Sequence, residues 1–351
     1  MLWGFNDSPE LLPSPFKENA CNQPLPHVTI TIYNKLYIVM VKLLKKSVNL
    51  YLKSGIILQK LSEKLLFVEV NERIPRVEDL SKELEVGRGT IQTTLQRLVK
   101  LEAISLESRG HLGTFLRYKD TNELLKCAGV NQVTAVMPLP YSRKYEGMAT
   151  GLTFAFEKLN IFFNIAFMRG SSLRVAALRE GRYDLALVSK FSARQHMDED
   201  ENLELGLAFG PQSYVSNHGL MFADEASESI QDGMKIGVDP SSTDQNTLIL
   251  AETEGKNVEL ISLNYMHLLS NLQAGKIDAT VWNVDERNQN QINIRPLTTS
   301  AALQMEEEMT EAVCLMNRGN RKLEYLLKLI SMDEVREVQQ QVERNEVIPR
   351  Y

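Results

Sequence analysis

The sequence predicts a multidomain chain: a small, mainly α unit of helix, turn, helix and hairpin, followed by a bilobed α/β domain. Three observations carry this. The stretch "VGRGTIQTTLQRL" at 86–98 has helical apolar spacing and a face of Arg, Thr and Gln without a single acid. A pattern of two short alternating runs around "RGHLG" follows it. From Asn131 onward, short apolar runs alternate with helical patterns, and one helix–strand unit occurs twice.

The 351 residues suffice for two domains with a sizeable core. A formal net charge of −6 excludes a generally basic nucleic-acid coat, so any DNA contact has to come from a local patch. The three cysteines, Cys21, Cys127 and Cys314, lie far apart with no CxxC spacing, and read as reduced structural thiols of a cytoplasmic protein. The five histidines form no HExxH pattern, so neither a metal nor a cofactor is expected.

The opening "MLWGFNDSPELLPSPFKENACNQPLP" lacks the basic start, apolar core and small-residue cleavage site of a signal peptide. "VTITIYNKLYIVMVKLL" approaches the length of a membrane span, but Asn34, Lys35 and Lys42 interrupt it, so no membrane partner is expected. Residues 1–45 carry no evident domain and read as an extension. It is either disordered or translated ahead of the real start, for which Met40 is a candidate.

The first domain is placed at 46–119. In "LLKKSVNLYLKSGIILQKLSEKLL", Ile57, Leu61 and Leu65 make a supporting stripe. Lys42, Lys45, Lys46, Lys53, Lys60 and Lys64 face one acid, Glu63; this is either a phosphate-contacting face or a solvated one. In "IPRVEDLSKELEVG", Pro75 stands near the first turn of a short helix, and Val77, Leu80 and Leu84 form its apolar face. A turn at 85–87 leads into the second helix, where Ile91, Leu95 and Leu98 point inward. Acids are confined to the first helix, at Glu78, Asp79, Glu83 and Glu85, which a random solvated surface has no reason to do. Arg, Thr and Gln without Glu suit phosphates and base edges. The expected DNA-contacting residues are Arg88, Thr90, Gln92, Thr93 and Arg97, with Arg109 and His111 at the tip of a hairpin whose Gly110 and Gly113 are free to take positive φ.

The segment from Ile74 to Leu116 resembles the winged helix-turn-helix of GntR-type bacterial regulators, carried by Gly87, Arg88, Gly89 and Thr90 and by the wing Arg109, His111, Gly113, Thr114 and Phe115. The sequence departs from that family's pattern at several places. Gly87 and Gly89 replace usual Ser or Thr, Gln92 replaces a common Arg, and Glu78 replaces a common phosphate-contacting Arg. The resemblance implies double-stranded operator DNA as partner, bound by a homodimer with two half-sites. The polar helix "MDEVREVQQQVERN" near the C-terminus either contributes to the dimer or caps the second domain.

The second domain is placed at 130–351. "QVTAVMP", "IFFNIAFM", "YDLALVS", "MKIGVD", "VELIS", "IDATVWN" and "TEAVCLM" are its strand candidates, and the alternation argues for parallel sheets. "LREGRYDLALVSK" and "LQAGKIDATVWNV" both read L-x-x-G-x-x-D before an apolar strand, which points to two related lobes. Ligands of open α/β sheets sit beyond the carboxyl ends of the strands. Those ends give Pro138, Tyr141, Ser142, Arg143, Arg169, Gly170, Ser171, Ser172, Ser189, Ser241, Ser242, Thr243, Trp282 and Asn283 as ligand-binding candidates. Each Ser or Thr also reads as a plain N-cap, and Trp282 as core. Two hydroxyl-rich helix starts with Arg169 beside them suit a small anionic effector.

The repeat resembles the bilobed fold of type 2 periplasmic binding proteins. Over nearly everything after residue 50 the chain is similar to the YhfZ-type family of transcriptional regulators, through "MPLPYSRKYEG", "FMRGSSLRV", "GRYDLALVS" and "DATVWNV". That resemblance implies a regulator that binds DNA with one half and senses a small molecule with the other. The rival is an enzyme or ligand-binding protein on the same fold with a vestigial DNA-binding domain. No G-x-S-x-G, P-loop, G-x-G-x-x-G or recognisable Cys–His motif supports catalysis, so no catalytic residue is assigned.

Overall fold

The computed structural model describes residues 53–285 and 294–351. The chain divides into two compact units, Met1–Ile56 and Ile57–Tyr351. Of the first, only residues 53–56 are described, and they are helical. The extension at 1–45, its interrupted apolar stretch and Lys42, Lys45 and Lys46 lie outside the described residues. Among the described residues, no helix is long and apolar enough to cross a membrane.

The helix-turn-helix forms as its patterns dictate. α1 (53–66) buries Ile57, Leu61 and Leu65. α2 (Val77–Glu83) buries Leu80, and α3 (Arg88–Lys100) buries Ile91, Thr94, Leu95 and Leu98. Glu85 makes the turn between them in the left-handed region, at φ 53°. Pro75 differs from expectation: it lies two residues before α2, outside the helix. Arg73 and Ile74 are instead tied to the wing, with Ile74 N–H donating to the Thr114 carbonyl at 2.9 Å. The wing is the antiparallel pair β1 (Ile104–Ser108) and β2 (Thr114–Lys119). Its tip, Gly110–Leu112, is one 3-10 turn between Gly110 at φ 57° and Gly113 at φ 97°.

α4 (Thr121–Cys127) fills the stretch that the sequence leaves between the two domains, and it is packed, with Leu124 and Leu125 fully buried. One apolar core therefore runs from α1 through α3 and α4 into the first lobe. That lobe holds β3 (Gln132–Met137), α5 (Arg143–Lys158), β4 (Phe162–Phe167), α6 (Ser171–Arg179), β5 (Leu185–Ser189), α7 (Lys190–Glu199) and β6 (Leu203–Ala208). The second holds β7 (His218–Phe222), β8 (Lys235–Val238), α8 (Thr243–Thr253), β9 (Glu259–Ser262), α9 (Tyr265–Gln273), β10 (Ala279–Asn283) and β11 (Ile294–Pro296). α10 (Ser300–Met309) leads back to β12 (Ala312–Asn317), α11 (Arg321–Leu327) and α12 (Met332–Glu343) on the first lobe.

The two sheets have the same plan, β4-β3-β5-β12-β6 and β9-β8-β10-β7-β11. They are mixed, which corrects the expectation of parallel sheets. β12 and β7 enter antiparallel, each being the first strand after the chain crosses between lobes. The repeated L-x-x-G-x-x-D unit has the same job in both lobes. Leu178 and Leu272 are buried, and Gly181 and Gly275 end the helices at φ 70° and 62°. Asp184 Oδ2 accepts from Thr134 N–H, and Asp278 Oδ2 from Lys235 N–H, both at 2.7 Å. Asp184 thus pins the start of β5 to β3, and Asp278 the start of β10 to β8.

The "MDEVREVQQQVERN" helix is α12, and it caps the first lobe. It lies against α5 so closely that a Cβ at Gly147 or Gly151 would stand 2.6 Å from the Gln339 or Val335 carbonyl oxygen. Gln339, fully buried, donates to the Lys144 and Ser213 carbonyls at 3.0 and 2.8 Å.

Candidate DNA-contacting face and interlobe cleft

α3 exposes Arg88, Thr90, Gln92, Thr93 and Arg97, because its four inward residues leave one continuous outer face. Gly87 caps it without a side-chain hydrogen bond. Arg88 Nη1 stands 3.2 Å from Glu78, both exposed. Arg109 lies over the Phe115 ring at 4.9 Å and 3.2 Å from Glu107, which stiffens the wing beside the exposed His111. Lys64 is paired with Glu83. An exposed pair such as Glu78–Arg88 is worth at most about 1 kcal/mol, so Arg88 can leave it for DNA. Glu78→Gln is expected to raise DNA affinity a few-fold at low salt and to steepen the salt dependence by about one counterion, read from binding isotherms across a salt series.

Between the lobes lies a cleft of about 660 Å³, open solvent at its mouth included. Pro138, Tyr141, Arg169, Gly170 and Ser171 line it from the first lobe, and Ser242, Trp282 and Asn283 from the second. The other sequence-predicted residues stand behind or beside it. Ser142 is a buried N-cap of α5, accepting from Tyr145 N–H at 3.3 Å. Arg143 pairs with Glu146 at 3.3 Å. Ser189 is buried, caps α7 and donates to Asp244 Oδ1 at 2.7 Å.

The two hydroxyl-rich helix starts meet each other. Ser171 Oγ donates to Thr243 Oγ1 at 2.9 Å and accepts from Thr243 N–H at 3.2 Å; Ser172 Oγ stands 3.3 Å from the same Thr243 oxygen. Ser172 N–H donates to the Ser241 carbonyl at 3.3 Å. Arg169 Nη1 donates to Asp239 Oδ2 at 3.1 Å and to Ser241 Oγ at 3.0 Å. These bonds hold the lobes together at one edge. Gly170 permits the approach: it sits at φ 70°, and a Cβ there would collide with Ser241.

Sequence reading missed the cleft floor. Arg174, 2 % exposed, gives Nε to the Leu187 carbonyl, Nη1 to the Met168 carbonyl and Nη2 to Tyr214 Oη, at 2.8, 2.9 and 2.8 Å. Its i,i+3 spacing from Ser171 was the available signal. Asp244 is buried, and burial pushes its carboxyl up to about 6 against the opposing effects of the Ser189 hydrogen bond and the Arg174 charge. Burial also pulls the His218 imidazole down to about 4. Among the described residues its Nδ1 has no hydrogen-bond partner; Glu306, at 3.9 Å, is too far. Tyr265 stacks on Trp282 at 4.7 Å and 8°, with Tyr141 beyond at 6.0 Å.

A helix-turn-helix joined to a two-lobed α/β domain defines the class of this chain. Residues 120–351 match the family described as the YhfZ C-terminal domain, and residues 70–116 a helix-turn-helix domain. The chain is 32% identical over 281 residues to YhfZ of Escherichia coli (strain K12), covering 79% of this chain and 90% of that one. It is also similar to the crystal structure of YhfZ from Shigella flexneri, at 32% identity and TM-score 0.55, over 66% of this chain and 97% of that one. The methionine-binding protein MetQ is 15% identical at TM-score 0.43, over 63% of this chain and 98% of that one. The chain belongs to the YhfZ family.

Proposed function

We propose that this chain is a transcriptional regulator. It reads a double-stranded operator as a homodimer, through the outer face of α3 and the wing, and senses a small anionic metabolite in the interlobe cleft. The observation that carries the reading is the shared core: the acid-free helix and the first lobe of the cleft are parts of one packed body. α11 reinforces the junction. Arg321 lies over Phe67 at 4.4 Å, Phe67 packs edge-on against Tyr325 at 5.4 Å, and Lys119 Nζ lies 5.7 Å from the Tyr325 ring centroid. The apolar clusters of the second lobe are distinct from that core and meet the first lobe through Phe191 of α7. Closure of the second lobe on a ligand then changes the surface that the DNA-binding body presents to its dimer partner, and a coupling of about 1–3 kcal/mol suffices for regulation.

The test is fluorescence anisotropy with DNA from upstream of the protein's own gene, repeated with a panel of small carboxylates and phosphates. Specific binding that shifts about 5- to 100-fold with one of them supports the reading. Absence of specific DNA binding, alone and with every compound, defeats it. Gly170→Ala is expected to prop the lobes apart, lowering affinity for the active compound about tenfold while leaving ligand-free DNA binding unchanged; calorimetry measures it.

A further inference from the structure

At the cleft edge the hydroxyls bond one another and Arg169 is already paired with Asp239 across the lobes, so an incoming anion would compete there with a carboxylate in place. Three buried polar groups with unspent hydrogen-bonding capacity line the same cleft. Arg174 uses three of its five N–H groups, one on each nitrogen, and all three go to neutral oxygens. Among the described residues, no carboxylate stands within ion-pairing distance of it. Asp244 accepts from Ser189 and, among the described residues, has no cation in contact, although Arg174 is near enough to influence it. Among the described residues, His218 Nδ1, on a side chain only 9% exposed, has no hydrogen-bond partner.

A buried guanidinium and a buried carboxylate that share a cavity without touching are each costly to hold in low dielectric. A purely anionic ligand would satisfy the first and repel the second. A purely cationic one would do the reverse. One molecule carrying both charges satisfies both. The wall beside them is the Trp282–Tyr265 stack, extended by Tyr141, which offers flat apolar area to the remainder of the molecule.

We propose that the cleft binds an α-amino acid, its carboxylate on Arg174, its ammonium on Asp244 and its side chain along Trp282 and Tyr265. The inference rests on the cleft being a sensor site, as argued above, and moves the anion seat from Arg169 to Arg174. The neutral imidazole of His218 supplies a further acceptor or donor at Nδ1, according to tautomer.

The test uses the full-length protein, thermal shift and calorimetry. The probes are the proteinogenic L-amino acids, each paired with the carboxylate lacking its amine and the amine lacking its carboxylate. At least one amino acid is expected to bind at least 30-fold more tightly than either analogue. Asp244→Asn is expected to lower affinity for that amino acid at least 30-fold and to leave unchanged or raise affinity for the deaminated carboxylate, whose repulsion by Asp244 it removes. Arg174→Lys keeps a cation and is expected to weaken both. Binding of simple carboxylates or phosphates with no amino acid bound overturns this inference and leaves the anion-sensing reading standing. No binding of any probe overturns both. An Asp244→Asn variant that weakens the amino acid and its deaminated analogue equally also overturns the ammonium assignment.

Discussion

Replacing Arg88 and Arg97 together with alanine is expected to cost roughly 2–6 kcal/mol of specific operator binding if both arginines read bases, at about 1–3 kcal/mol each. Both side chains are exposed, one in the first turn of α3 and one in the last. Neither belongs to the core, which the helix meets through Ile91, Thr94, Leu95 and Leu98. Alanine is also the best helix former, so folding should survive. Loss of Arg97 from the last turn removes a favourable interaction with the helix C-terminus, worth about 0.3–1 kcal/mol. The Arg88–Glu78 pair is exposed and contributes little. The melting temperature is therefore expected to change by only a few degrees while operator affinity falls steeply. If the arginines touch phosphate alone, the loss is uniform across DNA sequences and the salt slope drops by about two. Full affinity in the double variant would sink the assignment of α3 as the reading helix.

The parts of this molecule that sequence made visible are those where one residue type has one local job. The L-x-x-G-x-x-D unit is an example. Its Leu is buried, its Gly turns the chain at positive φ, and its Asp binds the neighbouring strand's N–H, all within a few residues. The acid-free face of α3 and the two wing glycines are likewise local. β6, β7 and β11 escaped notice. β11 is only three residues, Ile294–Pro296; β6 is an edge strand with Glu204 and Gly206; β7 begins His218-Gly219 and holds no β-branched residue. Missing β7 hid His218 and the antiparallel insertion that makes the second sheet mixed.

The cleft floor was illegible for a different reason. Arg174, Tyr214, Asp239 and Asp244 come from a helix, a crossover, a loop and a second helix, and only tertiary folding brings them together. Ser171, Ser172 and Thr243 were legible as helix starts, but their mutual bonds across the lobes depend on how the lobes meet. A residue's chemistry is read from sequence more readily than its partner.

Asp244 is the position where stability and function are expected to part. Its folded-state carboxyl is raised to about 6 by burial, from an ordinary value of 3.8. That contribution to stability is fully present below about pH 4 and is lost as pH rises through about 6; at pH 7 the ionised form is penalised by about 3 kcal/mol. His218 slopes the other way. Burial depresses its imidazole from 6.5 to about 4, so its contribution is present above pH 6.5 and disappears as pH falls through about 4, again by about 3 kcal/mol. The two groups line one cleft and largely offset each other between pH 4 and 6.5. Asn at 244 keeps an acceptor for the Ser189 hydroxyl and carries no charge. Urea unfolding of Asp244→Asn is expected to show a gain approaching 3 kcal/mol over the native chain at pH 7, shrinking to nothing near pH 4. A variant that is stabilised without ligand yet cannot hold an amino acid would show a buried carboxylate retained at a cost to stability for what it binds. If Asp244→Asn is instead destabilised at pH 7, with a pH profile parallel to that of the native chain, Asp244 is a structural anchor for Ser189 and not a seat left open for a cation.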